Sequence, residues 1–489
     1  MPGGFFVAGR IPRILQRESL FSMVAKASSF ARHWPLLLSM LLMAASLILF
    51  WPGIVSYDAV GQYAQAMTGR YDDWHPPVMA RLWSLFRPAE WRASPMLLLQ
   101  MAGYWLGFGW VAQALSGWRR IAVLATALFP PLLGWQGVIV KDSHLMAAML
   151  LATGLILRSR LRGSPMSLWQ RIVVAILVGY ALLVRANAVF AVIPFAVLAA
   201  VQGPLRVRHA VAVLGGIGLV LAVSPVINHG LLGAQDSGVQ RTVPLYDLAG
   251  IAVRIDKPVA GLAPGSAQAL VQSHCVKPLF WDPLGSRDQC MAAIHPLDRD
   301  TPGHLYRLLA STAVAHPFAY LAHRFAHFNS TERWLVGGHW PLAVPPSRTE
   351  PNRWDLPDPH DTAVLAWMAV AGILVGTPLC WPIVWTFAGA VGLRLCWRGQ
   401  SVRESMARAL FASAIVQEAS FLAISISSDL RYHLWSMVAV MLGWLVTDRR
   451  GSKSLTVTTA VGALFIVATG TAARWVLPTA PANYADLIK

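Results

Sequence analysis

The chain alternates between long apolar runs and short polar joints, with two long mixed stretches set among them. Apolar runs fall at about 35–54, 95–116, 121–139, 143–157, 171–186, 188–203 and 209–227, then at 362–393, 408–427, 432–447 and 455–477. Runs of this length suit helices that cross a hydrocarbon core about 30 Å thick. The pattern therefore predicts an all-α integral membrane protein with about 11 transmembrane helices. Run 362–393 is too long for one simple span, and one long or partly interfacial helix broken near Gly376-Thr377-Pro378 is expected there. The first run starts too late and is too long for a cleavable signal peptide, so it reads as an anchor.

Composition agrees with that pattern. Of 489 residues, 56% are hydrophobic and only 13% charged, against about a quarter charged in soluble domains. A soluble enzyme, a disordered chain and a fibrous repeat are excluded. The 21 Trp and 32 Pro suit interfacial aromatic belts and interrupted helices. A formal charge of +17 would invite nucleic acid, but its placement says otherwise. Arg10, Arg13, Arg17, Lys26 and Arg32 precede the first run, and Arg119/Arg120, Arg158/Arg160/Arg162/Arg171 and Arg206/Arg208 follow later ones. Arg394/Arg398/Arg403/Arg408 and Arg449/Arg450/Lys453 complete the set, and with their neighbouring acids these clusters account for the whole net charge. Each abuts an apolar run, as cytoplasmic loops do. Nucleic acid is not needed as a partner, whereas membrane lipids are.

Alternation puts the N-terminus (1–34) in the cytoplasm, the first seven helices at 35–227 and the last four within 361–477, with 478–489 an external tail. Two segments are left outside. Loop 53–94 is charge-neutral, and loop 228–360, between helices 7 and 8, holds eleven acidic and eleven basic residues. The second loop also carries nine of the fourteen His and the pair Cys275 and Cys290, for which a disulfide is expected in an oxidising compartment. These features point to a bacterial inner membrane protein whose working face is periplasmic.

The richest chemistry follows the first run. Asp58, Gln62 and Gln65 recur at i, i+4, i+7 and share one face of a short helix, with Val60, Tyr63 and Met67 on another. Such a helix lies in the interface. Gly69 ends it, Trp74 suits headgroup depth, and Pro76-Pro77 turns the chain into a second amphipathic helix. An ordinary interfacial helix with a solvated Asp would show the same spacing.

An acidic residue just outside the first span, then Gly69-x-Tyr71-x-x-Trp74, then His75 before Pro76-Pro77, resembles the first external loop of GT-C glycosyltransferases. The likeness is greatest to the branch holding protein O-mannosyltransferases and lipid A aminoarabinose transferases. Those multi-span enzymes take a sugar from a polyprenyl-phosphate carrier on the outer face of the membrane. The resemblance implies a GT-C-like bundle in which Asp58 is the catalytic base or acceptor-orienting carboxylate and His75 helps to bind the donor phosphate. It maps a second acidic site to Asp142. The mannosyltransferases follow their carboxylate with Glu, and Ala59 stands in that place here.

Transfer from a phosphate-linked sugar needs cations for the departing phosphate and a carboxylate for the acceptor hydroxyl. Lys141 and Asp142 sit in the very short joint between the third and fourth runs, although a helix cap with a snorkelling Lys would read the same. Arg185, beside Asn187, ends the fifth run and could equally anchor to lipid phosphate. Arg431 lies in Asp429-Leu430-Arg431-Tyr432, a stretch similar to ones in GT-C proteins, and its plainer reading is a local pair with Asp429. Glu418 is an acid inside an apolar run and fits best as a structural hydrogen-bonding group.

In the second loop, Tyr246 and Asp247 join Gln62 and Tyr63 as candidate substrate contacts. His323 and His327, four residues apart on a face with Tyr320 and Arg324, have zinc-ligand spacing but no third ligand nearby, so a basic interfacial helix is the better reading. No P-loop, Gly-x-Ser-x-Gly or Cys-x-x-Cys is present. The first loop also lacks the Asp-x-Asp pattern of metal-dependent oligosaccharyltransferases. The expected activity is therefore a metal-independent, inverting-type glycosyl transfer without cofactor. Its donor would be a polyprenyl-phosphate sugar and its acceptor a lipid, glycan or protein. A transporter, flippase or polymerase of lipid-linked glycan intermediates is the alternative.

Overall fold

The computed structural model describes residues 33–359, 362–449 and 451–489; the N-terminal basic cluster lies outside them. The described chain is helical, with four two-residue strands. Among the described residues, five helices are long and apolar enough to cross a membrane: His33–Phe50, Lys141–Arg162, Val207–Leu231, Val402–Ile424 and Lys453–Val476. Two of these are central, with 67% of their apolar window buried, and the other three are peripheral, at 11–22%. Shorter apolar helices, such as Leu168–Val184 and Leu430–Val446, fill the bundle between them.

Proline decides where the runs break. Run 121–139 is not one helix: Trp118–Ala127 stops before Pro130–Gly137, because Pro130-Pro131 cannot donate to a continuing ladder. Run 362–393 divides into Thr362–Val375 and Pro382–Cys396 around a 3-10 turn at Pro378–Cys380, the expected position. Small residues let helices close. A Cβ on Gly107 would lie 2.6 Å from the Leu150 backbone, so Ser94–Ala114 and Lys141–Arg162 run in near-backbone contact. Val402–Ile424 is tied to both neighbours through Ser413, which donates to the Ala191 carbonyl at 2.6 Å and accepts from Trp435 Nε1 at 2.9 Å.

The long second loop folds as helices of its own, among them Thr242–Ile255, Asp288–Asp298, Pro302–Ala315 and Pro317–Glu332. They enclose a separate core of Leu245, Leu248, Ile251, Leu270, Leu297 and Leu305. The Cys275–Cys290 disulfide is present and closes that core. This second-loop unit sits on the helix ends by backbone pairing. Trp281 N–H donates to the Ile426 carbonyl and Ser428 N–H to the Leu279 carbonyl, both at 2.9 Å. The C-terminal segment folds back onto it, with Lys277 Nζ donating to the Leu487 carbonyl at 2.6 Å.

Candidate functional site

Two parallel two-residue strands assemble the site. Ile54–Val55 pairs with Val138–Ile139, Ile54 beside Val138. Each strand leads within three residues into a helix, Tyr57–Thr68 in one case and Lys141–Arg162 in the other. The pairing therefore sets two helix N-termini side by side, with Asp58 and Asp142 in their first turns. Carboxylates are favoured there because the N-terminal end of a helix carries partial positive charge. The second strand pair, Tyr71–Asp72 with Ala234–Gln235, pins the first loop to the start of the second-loop unit. Asp73 strengthens it, accepting from the Ser237 backbone N–H at 2.7 Å and from its hydroxyl at 2.6 Å.

Basic residues from four stretches meet these carboxylates. Arg431 Nη2 lies 3.1 Å from Asp58 Oδ2, and Lys141 Nζ and His75 Nε2 each lie 3.7 Å from the same carboxylate. Lys141 Nζ also reaches His75 Nδ1 at 2.6 Å. Arg185 is in direct contact with Asp142, and Arg431 Nε stands 3.8 Å from Asp142 and 2.8 Å from Asp429. Tyr432 lies beneath both guanidinium groups, 3.9 Å from Arg185 and 5.5 Å from Arg431. Asn187 Oδ1 accepts from Arg185 Nε at 2.6 Å. Three cations thus face three carboxylates in a small volume that is not fully sealed: the side chains of Asp58, Arg431, His75 and Lys141 keep 12–18% of their surface open.

The electrostatics follow from that crowding. Burial alone would raise the Asp58 carboxyl, but Arg431, Lys141, His75 and Arg185 outweigh it and hold Asp58 well below the usual carboxylate range. Burial, aided by Lys141, pushes His75 down to about 3. His75 is accordingly a neutral imidazole at pH 7, with Lys141 Nζ beside Nδ1.

The structure brings Asp58, His75, Lys141, Asp142, Arg185 and Arg431 together, although they span more than 370 positions of sequence. Lys141 points into the cluster rather than snorkelling away from it. Asp429 and Tyr432 are members that the sequence offered only as neighbours of Arg431. Gln62, one turn beyond Asp58, is 1% exposed, and neither its amide oxygen nor its nitrogen finds a hydrogen-bond partner in the protein.

Three expected substrate contacts lie elsewhere. Tyr63 packs edge-on against Trp83 at 5.1 Å and lines a cavity with Met67 and Phe86 that shares no residue with the cluster. Tyr246 and Asp247 are corrected: both are fully buried in the second-loop unit. The Tyr246 hydroxyl donates to the Lys277 carbonyl at 2.6 Å, and Asp247 accepts from Arg324 at 2.5 and 3.0 Å. Their polar groups are bonded within the unit formed by the second loop. His323 pairs with Asp247 at 3.2 Å and His327 with the Pro278 carbonyl at 2.7 Å. Among the described residues no group of His, Cys, Asp and Glu is arranged around a metal-sized centre.

Glu418 accepts from His433 at 2.7 Å and from the Ser436 hydroxyl, directly behind the Arg431 turn. Glu332 comes beside it from the second-loop unit, with Thr386 donating at 3.0 Å. Burial and the nearby Glu418 push the Glu332 carboxyl well up.

Compared with known proteins, the chain matches no family model and no curated sequence.

Proposed function

We propose that the chain is a membrane glycosyltransferase of GT-C type that moves a sugar from a polyprenyl-phosphate donor to an acceptor hydroxyl at the periplasmic face. One observation carries the reading: a partly open carboxylate, Asp58, ringed by Lys141, Arg431 and neutral His75 beside the ends of apolar helices. A lipid-linked phosphate carries its charge at that depth, and the cations converge on it there. Lys141, Arg431 and His75 bind the donor phosphate, while Arg185 holds Asp142 in place behind them.

In the reaction, the acceptor oxygen attacks the anomeric carbon as the bond from that carbon to the phosphate oxygen breaks. The bonding pair leaves with polyprenyl phosphate, and Asp58 takes the acceptor proton. An Asp held this low is a poor base. An arriving phosphate competes for Lys141 and Arg431, however, and loosens their hold on Asp58, so donor binding itself raises the basicity of the carboxylate. The empty site stores its base as an ion pair and releases it when the leaving group is in position.

The placement of charge supports the orientation. Arg403, Arg449 and Arg119 meet Asp448 and Glu404 at the Val402 end of Val402–Ile424, opposite the end that carries Ser428 and Asp429. A 23-residue helix is about 34 Å long, close to the hydrocarbon thickness. A bacterial inner membrane, a cytoplasmic N-terminus and about 11 crossings belong to the same proposal.

The test uses purified protein in nanodiscs with a panel of polyprenyl-phosphate sugars and of lipid, glycan and peptide acceptors, following free polyprenyl phosphate by mass spectrometry in wild type and Asp58→Asn. Release that collapses in the variant while donor still binds is the expected result. Donor bound by both proteins and released by neither would instead favour a flippase.

A further inference from the structure

Outside the ion-pair cluster, three distant segments bring aromatic rings and one carboxylate to its rim. Trp74 directly precedes His75, and its ring, 43% exposed, lies 6.1 Å from that of Trp281 at an interplanar angle of 39°. The Trp281 backbone N–H donates to the Ile426 carbonyl at 2.9 Å, three residues before Asp429, which fixes its segment next to the Arg431 turn. Asp282 follows it and accepts from the Tyr484 hydroxyl at 2.7 Å, while the Tyr484 ring packs against Phe280 at 6.0 Å. Asp282 feels the charges of Asp58 and Arg431, so it borders the cluster, and burial pushes its carboxyl up. Tyr57, beside Asp58, is 77% exposed.

Trp74, Tyr484 and Tyr57 stay 43%, 44% and 77% exposed, Trp281 is partly buried against the second-loop core, and the carboxylate beside them keeps acceptor capacity. Flat aromatic faces carry partial negative charge and attract the polarised C–H face of a pyranose ring, and a flanking carboxylate accepts its hydroxyls. An extended peptide would ask for an unpaired backbone edge, but residues 279–281 already spend theirs on 426–428.

We infer that Trp74, Trp281, Asp282 and Tyr484 form a saccharide subsite that presents a sugar hydroxyl to Asp58, so that the acceptor is a glycan or the sugar portion of a glycolipid rather than a protein side chain. The inference rests on the transferase reading for its orientation toward Asp58. The sugar contact itself does not depend on turnover.

The experiment is saturation-transfer NMR on protein in nanodiscs without donor. The probes are methyl pyranosides, maltose and chitobiose, against a serine/threonine hexapeptide. Transfer onto pyranose C–H protons is expected in wild type, with affinity falling about tenfold in Trp281→Ala or Trp74→Ala. Asp282→Asn and Tyr484→Phe should weaken it less, and binding of undecaprenyl phosphate to the same samples checks their folding. Should Trp281→Ala fail to fold, Trp74→Ala carries the test, since its ring is half in solvent. Wild type that ignores every saccharide, variants that bind as wild type does, or transfer to the hexapeptide alone would each overturn the inference. Saccharide binding that persists where no donor yields Asp58-dependent release would sink the transferase reading and leave the sugar site standing.

Discussion

The ion-pair clusters around Asp247 and around Asp58 are built from similar residue types, and they differ in almost every other respect. Around Asp247, Arg324 donates twice to one oxygen at 2.5 and 3.0 Å, His323 approaches the other at 3.2 Å, and every side chain is 1–2% exposed. Arg324 spends another N–H on the Ser425 carbonyl at 2.8 Å. The His323 ring lies where a side chain on residue 250 would be, 2.3 Å from an added Cβ, so only Gly250 fits beneath it. Around Asp58 the partners stand at 3.1–3.7 Å, come from three segments, and remain partly open. A buried charge pair needs short, complete bonding to offset its desolvation. The Asp247 cluster comes nearer to that demand, with two Arg324 bonds on one carboxylate oxygen, and reads as architecture. The Asp58 cluster holds its charges loosely and in balance, as a site does when an incoming ion is to take over some of them.

The largest contrast should come from removing each carboxylate. Asp58→Asn is expected to lower polyprenyl phosphate release by about 10²–10⁴-fold, while costing only about 1 kcal/mol of stability, because Arg431 keeps Asp429 and the site is part-solvated. Asp247→Ala should do the reverse in kind. It leaves the Arg324 guanidinium buried without its carboxylate, at a cost of about 3–5 kcal/mol. Melting temperatures in detergent set beside release assays decide both. An Asp58→Asn protein that is as unstable as Asp247→Ala would erase the distinction drawn between the clusters.

That distinction was only half legible in the sequence. Asp58, Lys141, Asp142, Arg185 and Arg431 could be singled out because each is a charged group near the end of an apolar run, a local signal, and His75 through the resemblance carried by its place before Pro76-Pro77. The break near Pro378 and the Cys275–Cys290 bridge were readable for the same reason. Tyr246 and Asp247 looked like sugar contacts because their partners, Lys277 and Arg324, stand 31 and 77 residues away and leave no periodic trace. The strand pairing of Ile54–Val55 with Val138–Ile139 is two residues long, too short for any alternation to announce it. Glu332 beside Glu418, and the C-terminal Tyr484 on Asp282, are likewise tertiary facts. The run at 121–139 was misjudged because apolar content concealed what Pro130-Pro131 does to a backbone ladder.

Histidine offers a finer probe of the two regions. His75, near 3 against an ordinary 6.5, takes up its proton more readily in the unfolded chain than in the folded one. Its contribution to stability is therefore full above pH 6.5 and is lost as the pH falls from there toward 3. Acidification from pH 8 to 5 should cost about 2 kcal/mol through this residue, and His75→Asn should remove that share of the slope. His327, also pushed down to about 3 by burial, predicts an equal share for the second-loop unit. Only His75→Asn should also weaken donor binding. Thermal unfolding at the two pH values, together with donor titrations, separates them, and equal effects of the two variants on donor affinity would contradict the assignment of His75 to the phosphate.

The smallest effect is the most discriminating, because its two readouts have opposite signs. Gln62 and Gln100 are both buried glutamines beside the paired strands, but only Gln100 is well used, its amide donating to the Gln136 and Val138 carbonyls. Gln62 buries both ends of its amide with no protein partner, one helical turn from Asp58. A buried amide left unpaired costs about 1–3 kcal/mol, so Gln62→Leu should stabilise the protein by about 1 kcal/mol while weakening donor or acceptor binding severalfold. Gln100→Leu should destabilise it, since two buried carbonyls lose their donor. Differential scanning fluorimetry and donor titration on the two variants give the comparison directly. If Gln62→Leu lowers the melting temperature as Gln100→Leu does, Gln62 is an ordinary core residue and the cluster is smaller than drawn. If it raises the melting temperature and weakens binding, stability has been given up at that position for the ligand.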